Sequence, residues 1–176
     1  PAGEVWQAKT LLAHDGGIVD LSFAPAASPA TLAAGPAAVR AAVRGPFRLA
    51  TAGTDGRLRV WRCDEKTASW TLQQDLLDPT SGSRLRCVAW RPNIGLPSST
   101  IAVGSEDGSV QVWVQDMEGQ PWNCQASWKV DGDTRRLSWS KAGVLLAVSA
   151  GDAGSMLFKE GPVGSWSQVG PVGSCE

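Results

Sequence analysis

A single hairpin, written three times over, limits this chain to very few folds. The copies are FRLATAGTDGRLRVW (47–61), STIAVGSEDGSVQVW (99–113) and VLLAVSAGDAGSMLF (144–158). In each, an aspartate (Asp55, Asp107, Asp152) stands six residues before an aromatic (Trp61, Trp113, Phe158). Asp-Gly is a two-residue turn signal, because glycine adopts positive φ without steric cost and aspartate can bond its own backbone. The flanking residues alternate in hydrophobicity, which marks strands with one buried face. The aspartates lie 52 and then 45 residues apart, a period at which sequences build repeated supersecondary units.

A short strand ending in an aromatic precedes each hairpin: VDLSFAP (19–25), RCVAWRP (86–92) and RRLSWSK (135–141). Another tryptophan follows each one, namely Trp70, Trp122 and Trp166. Strands are therefore expected near 17–23, 47–53, 57–62 and 69–77, then near 84–90, 99–105, 109–115 and 121–130. The last unit places them near 134–139, 143–150, 154–159 and 164–169. Four short antiparallel strands per roughly 40–50 residues is the arithmetic of a β-propeller blade. No segment sustains a helical period, so a solenoid of helices is excluded. The most helix-like stretch, 33–43, is short and bracketed by Gly-Pro, and 24–46 reads as a long loop inserted in its blade. The fold class is all-β, with the outer strand of a preceding blade at 1–15 and blades at 16–78, 79–131 and 132–176.

Bulk composition narrows the function classes. The net charge of −1 gives no general attraction to nucleic acid or to an anionic membrane. Arg84, Arg86, Arg91, Arg135 and Arg136 form small basic clusters that read as solvated strand faces, not as a nucleic-acid footprint. Cys63, Cys87, Cys124 and Cys175 form no C-x-x-C pair and have a single histidine to join them, so no zinc site is expected. Their sparseness points to a reducing compartment. No apolar run approaches the roughly 18 residues of a membrane span, and 144–150 is strand-sized. No basic-then-apolar leader is read at the start, and the chain opens on Pro1.

Asp-Gly, a tryptophan six residues later and an upstream AHD at 13–15 resemble the WD-repeat family. In that family a His, a Ser or Thr, the turn Asp and the Trp bond across the blade. The resemblance implies that His14, either Thr51 or Thr54, Asp55 and Trp61 fill those positions here. The later units carry no histidine, and the usual Trp-Asp pair is absent, since Trp61 precedes Arg62 and Trp113 precedes Val114. A narrower resemblance, to the Sec-thirteen family of WD-repeat propellers, runs along most of the chain. It is carried by VAWRPNIGLPSSTIAVGSEDGSVQVW (88–113), by LSWSKAGVLLAVSAGD (137–152) and by GEVWQAKTLLAHDGGIVDLSFAPA (3–26). The loop IGLPSST, 94–100, is its most specific part. GDAGSMLF departs from the pattern, with Ala153 and Phe158 in place of the turn glycine and the tryptophan. The resemblance implies the C-terminal half of an open six-bladed ring.

Candidate site residues read as structural. His14 is the only histidine and reads as a bridge within a blade, not as a base or a metal ligand. Asp55, Asp107 and Asp152 recur one per hairpin, too far apart for an acid–base pair, and suit turn backbone. Trp61, Trp90, Trp113 and Trp139, at strand ends, are expected to fill the space between blades, with Phe158 as the last counterpart. For Trp70, Trp122 and Trp166, packing and a recognition surface both remain open. No G-x-S-x-G, H-E-x-x-H or G-x-x-x-x-G-K-[ST] occurs, so neither catalysis nor a cofactor is expected.

The resemblance implies a scaffold subunit of a membrane-coat assembly, either the COPII vesicle outer coat or the nuclear pore scaffold, with nutrient-signalling complexes as a third context. Its implied partners are a large α-solenoid coat or nucleoporin subunit that inserts a seventh blade between the first and last blades, and further scaffold proteins. Contact with nucleic acid is not expected, and contact with membrane only through the assembly. The implied location is the cytoplasmic face of endoplasmic reticulum membranes or the nuclear envelope at pores. Leu145, Ala147, Ser149, Met156 and Phe158 on the last blade are the expected partner surface. The alternative is a WD-repeat adaptor that reads a peptide on its top face. Three blades leave two raw faces, so residues 1–176 alone are expected to aggregate, with an N-terminal half completing the natural ring. Light scattering on the purified chain checks this, and a monodisperse, cooperatively melting monomer contradicts it.

Overall fold

The alternating hairpins become three separate four-stranded antiparallel sheets in the computed structural model, which describes residues 8–25, 47–64, 66–77, 82–92, 98–151 and 154–172. The first sheet runs β1 (Ile18–Phe23), β2 (Arg48–Gly53), β3 (Arg57–Asp64), β4 (Ser69–Leu77). The second runs β5 (Leu85–Trp90), β6 (Ser99–Ser105), β7 (Ser109–Gln115), β8 (Asn123–Lys129). The third runs β9 (Thr134–Trp139), β10 (Leu145–Ala150), β11 (Gly154–Glu160), β12 (Trp166–Val172). In each sheet spatial order follows chain order, so the sheets are β-propeller blades with β1, β5 and β9 innermost. Among the described residues the only helical turn is a 3₁₀ piece at Pro162–Gly164, which delays the start of β12 beyond the expected 164. Residues 8–15, expected to belong to a preceding strand, form no strand. Residues 1–7, the inserted 26–46, Asn93 with 94–97 of the IGLPSST loop, and Cys175 lie outside the described residues.

The hairpin turns work as their sequence suggests, with a longer loop than two residues. Ala52 pairs with Leu58 as the last rung of β2–β3, and Gly104 with Val110 in β6–β7. Gly56 at φ +74° and Gly108 at φ +81° adopt the left-handed backbone that the turn requires. The Arg57 N–H donates to Asp55 Oδ1 at 3.2 Å, and the Ser109 N–H to Asp107 Oδ1 at 3.1 Å. The ladders also repeat their irregularities. Bulges fall between Val60 and Trp61, Val112 and Trp113, and Leu157 and Phe158, always before the terminal aromatic. A second set leaves Val19, Arg86 and Arg135 as the extra residues of the three innermost strands.

Packing joins the blades face to face. Ala50, Ala52, Leu58, Val60 and Leu76 of the first blade meet Val88, Trp90, Ile101, Val103, Trp113 and Trp122 of the second. On its other face the second blade presents Cys87, Ala102 and Val110, with Val130 just beyond β8, to Leu137, Leu146, Val148, Ala150 and Phe158 of the third. The middle blade is therefore covered on both sides, and six of the seven residues of β7 are buried. The last blade keeps the alternation of a one-sided strand: Leu146, Val148 and Ala150 are buried, while Leu145, Ala147 and Ser149 between them are half-buried. On the far side of the first blade Leu21 and Phe23 remain 50% and 57% exposed.

Trp113, at 8% exposure, fills the first inter-blade core, whereas Asp107 serves only its turn and an ion pair to the exposed Lys129. Trp113→Ala is predicted to cost about 3–5 kcal/mol through the cavity it leaves. Asp107→Ala is predicted to cost near 1 kcal/mol as a lost hydrogen bond. Urea denaturation of both variants measures this, and an equal or reversed order contradicts the packing role.

Candidate functional site

The densest polar constellation sits on the far face of the first blade. The chain just ahead of β1 lays Ala13 over Leu49 and Trp61, which carries the His14 ring into the sheet with a fully buried side chain. His14 Nδ1 faces Asp55 Oδ1 at 2.9 Å and Oδ2 at 3.1 Å, and Nε2 faces Thr51 Oγ1 at 2.8 Å. The Trp61 Nε1–H donates to the same Thr51 oxygen at 3.0 Å. An indole can only donate and a carboxylate can only accept, so Trp61 Nε1–H gives to Thr51 Oγ1 and His14 Nδ1–H gives to Asp55. In the ring tautomer with its proton on Nδ1, Nε2 accepts from the Thr51 hydroxyl. Thr51 is thus the hydroxyl member of the network, and Thr54 is not. Gly53 is the only residue type that fits beside it, because a Cβ there would collide with both His14 and Asp55.

Around this core Arg59 donates to the Ala13 carbonyl and, through Nε, to Asp75 Oδ2 at 3.0 Å. Arg57 reaches the same Asp75 oxygen at 2.8 Å. The loop that carries His14 is therefore pinned by an arginine from β3 as well as by its own ring. His14, Asp55, Arg57, Arg59 and Asp75 thus hold a loop, a turn and two strands together, although Asp75 Oδ1 is buried without a hydrogen-bond partner.

The other blades replace this network piecemeal. In the second, Val103 occupies the Thr51 position, and the Trp113 Nε1–H turns instead to Gln111 Oε1 at 3.0 Å. Ser109 Oγ donates to Asp107 at 2.9 Å, and Lys129 lies 3.0 Å from the same carboxylate. Partial burial pushes the Asp107 carboxyl up, but the bonds from Lys129 and Ser109 outweigh it and hold the pKa below its usual range. This turn is therefore stabilised above the unfolded carboxylate pKa, and the contribution is lost as pH falls through the folded value. Thr134 Oγ1 donates to the Ser105 carbonyl at 2.7 Å and packs beside Cys87. Burial pushes the Cys87 thiol up to about 11, against the opposing bond from Thr134, so it stays a neutral thiol at physiological pH. In the third blade Phe158 has no N–H to offer and joins an aromatic cluster, 4.9 Å from Trp128. Asp152 and Ala153 lie outside the described residues.

Of the outer-strand tryptophans, Trp122 and Trp166 pack between blades, whereas Trp70 packs on the far face of the first blade. Trp122 is 4% exposed and meets Trp90 edge-on at 5.6 Å. Trp166 stacks on Trp128 at 5.7 Å, and Trp70 packs against the cluster around Trp61. Trp139 donates Nε1–H to the Ala89 carbonyl at 3.1 Å and lies beneath the Arg91 guanidinium at 5.2 Å. Arg48 covers Trp90 in the same way at 5.0 Å.

Of the expected partner surface, the structure keeps Leu145, Ala147 and Ser149 on the outward face and removes two members. Met156 pairs across from Val148 and Phe158 from Leu146, so both point toward the middle blade, with Phe158 only 6% exposed. Asp20 and Ser22 were not foreseen. Asp20 Oδ2 accepts from the Val88 N–H at 2.9 Å and Ser22 Oγ from the Trp90 N–H at 3.0 Å, which ties β1 to β5. Their signal in the sequence is a polar residue at each position of VDLSF that faces the next blade.

Comparison with known proteins matches residues 71–114 to the family described as "WD domain, G-beta repeat". That window runs from the outer strand of one blade to the tryptophan-bearing strand of the next. Protein transport protein SEC13 homolog B of Arabidopsis thaliana is 38% identical over 126 residues, 72% of this chain and 41% of its own length. Protein SEC13 homolog of Bos taurus is 35% identical over 169 residues, 95% of this chain and 51% of its own. The Homo sapiens protein of that name is 34% identical over the same extent. The chain thus spans about half the length of the curated relatives it matches.

The shared Thr51 hydroxyl generates a test. Thr51→Val strands the Trp61 N–H and the buried His14 ring, and is predicted to cost about 1–3 kcal/mol. Thr54→Val is predicted to be near neutral. Thermal or urea melts that rank the two in the opposite order contradict the assignment.

Proposed function

The chain belongs to the WD-repeat family, and from that premise we propose that it is a non-catalytic scaffold subunit of a membrane-coat assembly, in the COPII outer coat or the nuclear pore scaffold. The observation that carries this is the likeness to SEC13 homologues over 72% to 95% of the chain, the Arabidopsis thaliana relative being named a protein transport protein. The chemistry of the blades supports it. The one histidine spends both ring nitrogens within its own blade, and Asp55, Asp75 and Asp107 are each bound to side chains that hold strands together. Rigid, cross-pinned sheets suit a part whose task is to keep shape under load.

In this reading the partner is a large α-solenoid chain that adds strands beside the last blade, at the cytoplasmic face of the endoplasmic reticulum or at nuclear pores. The outward face of β10, with Leu145, Ala147 and Ser149 half-buried and no blade against it among the described residues, is where such a strand set would pack. A blade packed on that face gains affinity from the apolar area it buries, and the outward side chains supply specificity.

Ala147→Arg and Leu145→Asp place charge on that face without touching the inter-blade core. Pull-down of candidate α-solenoid subunits from cells that express the tagged variants is predicted to lose the partner while the melting temperature holds. Thr71→Arg, on the exposed surface of β4, is predicted to retain it. Full recovery of the partner by both last-blade variants contradicts the docking proposal, and recovery of no coat or pore subunit by the unaltered chain contradicts the functional one.

A further inference from the structure

The three innermost strands leave one edge each without a strand neighbour, and the chain treats those edges differently. The Arg91 N–H bonds to the Thr100 carbonyl, and the Ser140 N–H to the Leu145 carbonyl, both at 2.9 Å. Alternation along β5 and β9 therefore points the N–H groups of Val88 and Trp90, and those of Leu137 and Trp139, away from their sheets. Val88 and Trp90 are satisfied by Asp20 and Ser22 of the preceding blade. At the corresponding positions of β5 stand Cys87 and Ala89, which offer β9 no carboxylate or hydroxyl. Among the described residues no side chain accepts from Leu137 or Trp139.

This open edge borders a cleft of about 510 Å³ lined by all of Arg135–Trp139, by Arg86 and Trp90, and by Asp20 and Ser22. Arg86 and Arg135 are the extra residues at the bulges of β5 and β9, and bulges of this kind re-aim a side chain. Each has a loose, half-exposed acidic neighbour: Glu106 lies 3.4 Å from Arg86, and Asp133 lies 3.6 Å from Arg135. Arg136 has no ion pair among the described residues and is exposed. Two unclaimed main-chain donors two residues apart, flanked by arginines, match the acceptor spacing of an extended chain that carries carboxylates.

We propose that the inner edge of β9 binds an acidic peptide segment as an added strand, with Leu137 and Trp139 pairing its backbone and Arg86, Arg135 and Arg136 its side chains. The site lies on the inner wall, apart from the outward face of β10, and does not depend on which assembly the chain joins. The probe is a fluorescein-labelled peptide of alternating Glu and Val, titrated with the full chain and followed by anisotropy. Binding that weakens with added salt is expected, with none for the matching Lys–Val peptide. The exposed pair Arg135→Ala, Arg136→Ala is expected to weaken it about tenfold or more, with tryptophan fluorescence unchanged. Ala89→Ser would supply β9 with the hydroxyl that Ser22 gives β5, and is expected to weaken binding severalfold by closing the edge from within. Equal binding of the Lys–Val peptide, or an unaltered affinity in the arginine variant, overturns the proposal. An Ala89→Ser protein that binds as tightly as the parent overturns the strand-edge assignment.

Discussion

A β-sheet has two faces, and a blade with apolar residues on both needs a neighbour on each side. Everything else in this structure follows from how that demand is met. The middle blade meets it fully, and the alternation of its central strands disappears under burial from both directions. The last blade meets it once, and the first is covered on its far side, among the described residues, by the short chain ahead of β1 that lays Ala13 over Leu49 and Trp61. The inward faces of these two blades hold Leu58, Val60, Leu146 and Val148 at no more than 2% exposure, while Leu21, Phe23 and Leu145 stay open. At about 25 cal/mol per Å² of apolar surface, the difference between those faces far exceeds any single polar contact.

Polar groups then set register and order instead of supplying bulk stability. His14, Thr51, Asp55 and Trp61 join a preceding loop, β2, a turn and β3 in one chain of bonds, so none of those pieces can slip by a residue without stranding a buried donor. Asp20 and Ser22 do the same between the first two blades. Arg48 and Arg91 clamp successive junctions, each over the terminal tryptophan of the next inner strand. Because the middle blade is already held on both faces, it can replace the histidine network with the local Trp113–Gln111 bond, made within one strand. The last blade lacks even that and relies on stacked aromatic rings.

The strands were legible in the sequence because the repeat fixes their phase: each strand lies within a few residues of its expected place. The choice between Thr51 and Thr54 was not legible, since both sit near the turn and only the three-dimensional path of the His14 loop selects one. Met156 and Phe158 were assigned to the wrong side of the last blade for a related reason. The hairpin closes from Ala150 to Gly154, and this places residues 156 and 158, not 155 and 157, opposite the inward-facing Val148 and Leu146. A change of one residue in loop length would reverse every side chain on β11. The bulges that expel Arg86 and Arg135 leave no composition signal at all, because the ladder shift belongs to pairs of strands and not to either one.

Native-state hydrogen exchange, read amide by amide, tests the central claim that burial on both faces sets the hierarchy of stability. The account predicts that the ladder amides of β6 and β7 exchange most slowly. Those of β2, β3, β10 and β11 should follow, and the edge strands β1 and β12 should open first. Uniform exchange across the three blades, or β10 and β11 outlasting β6 and β7, would contradict it.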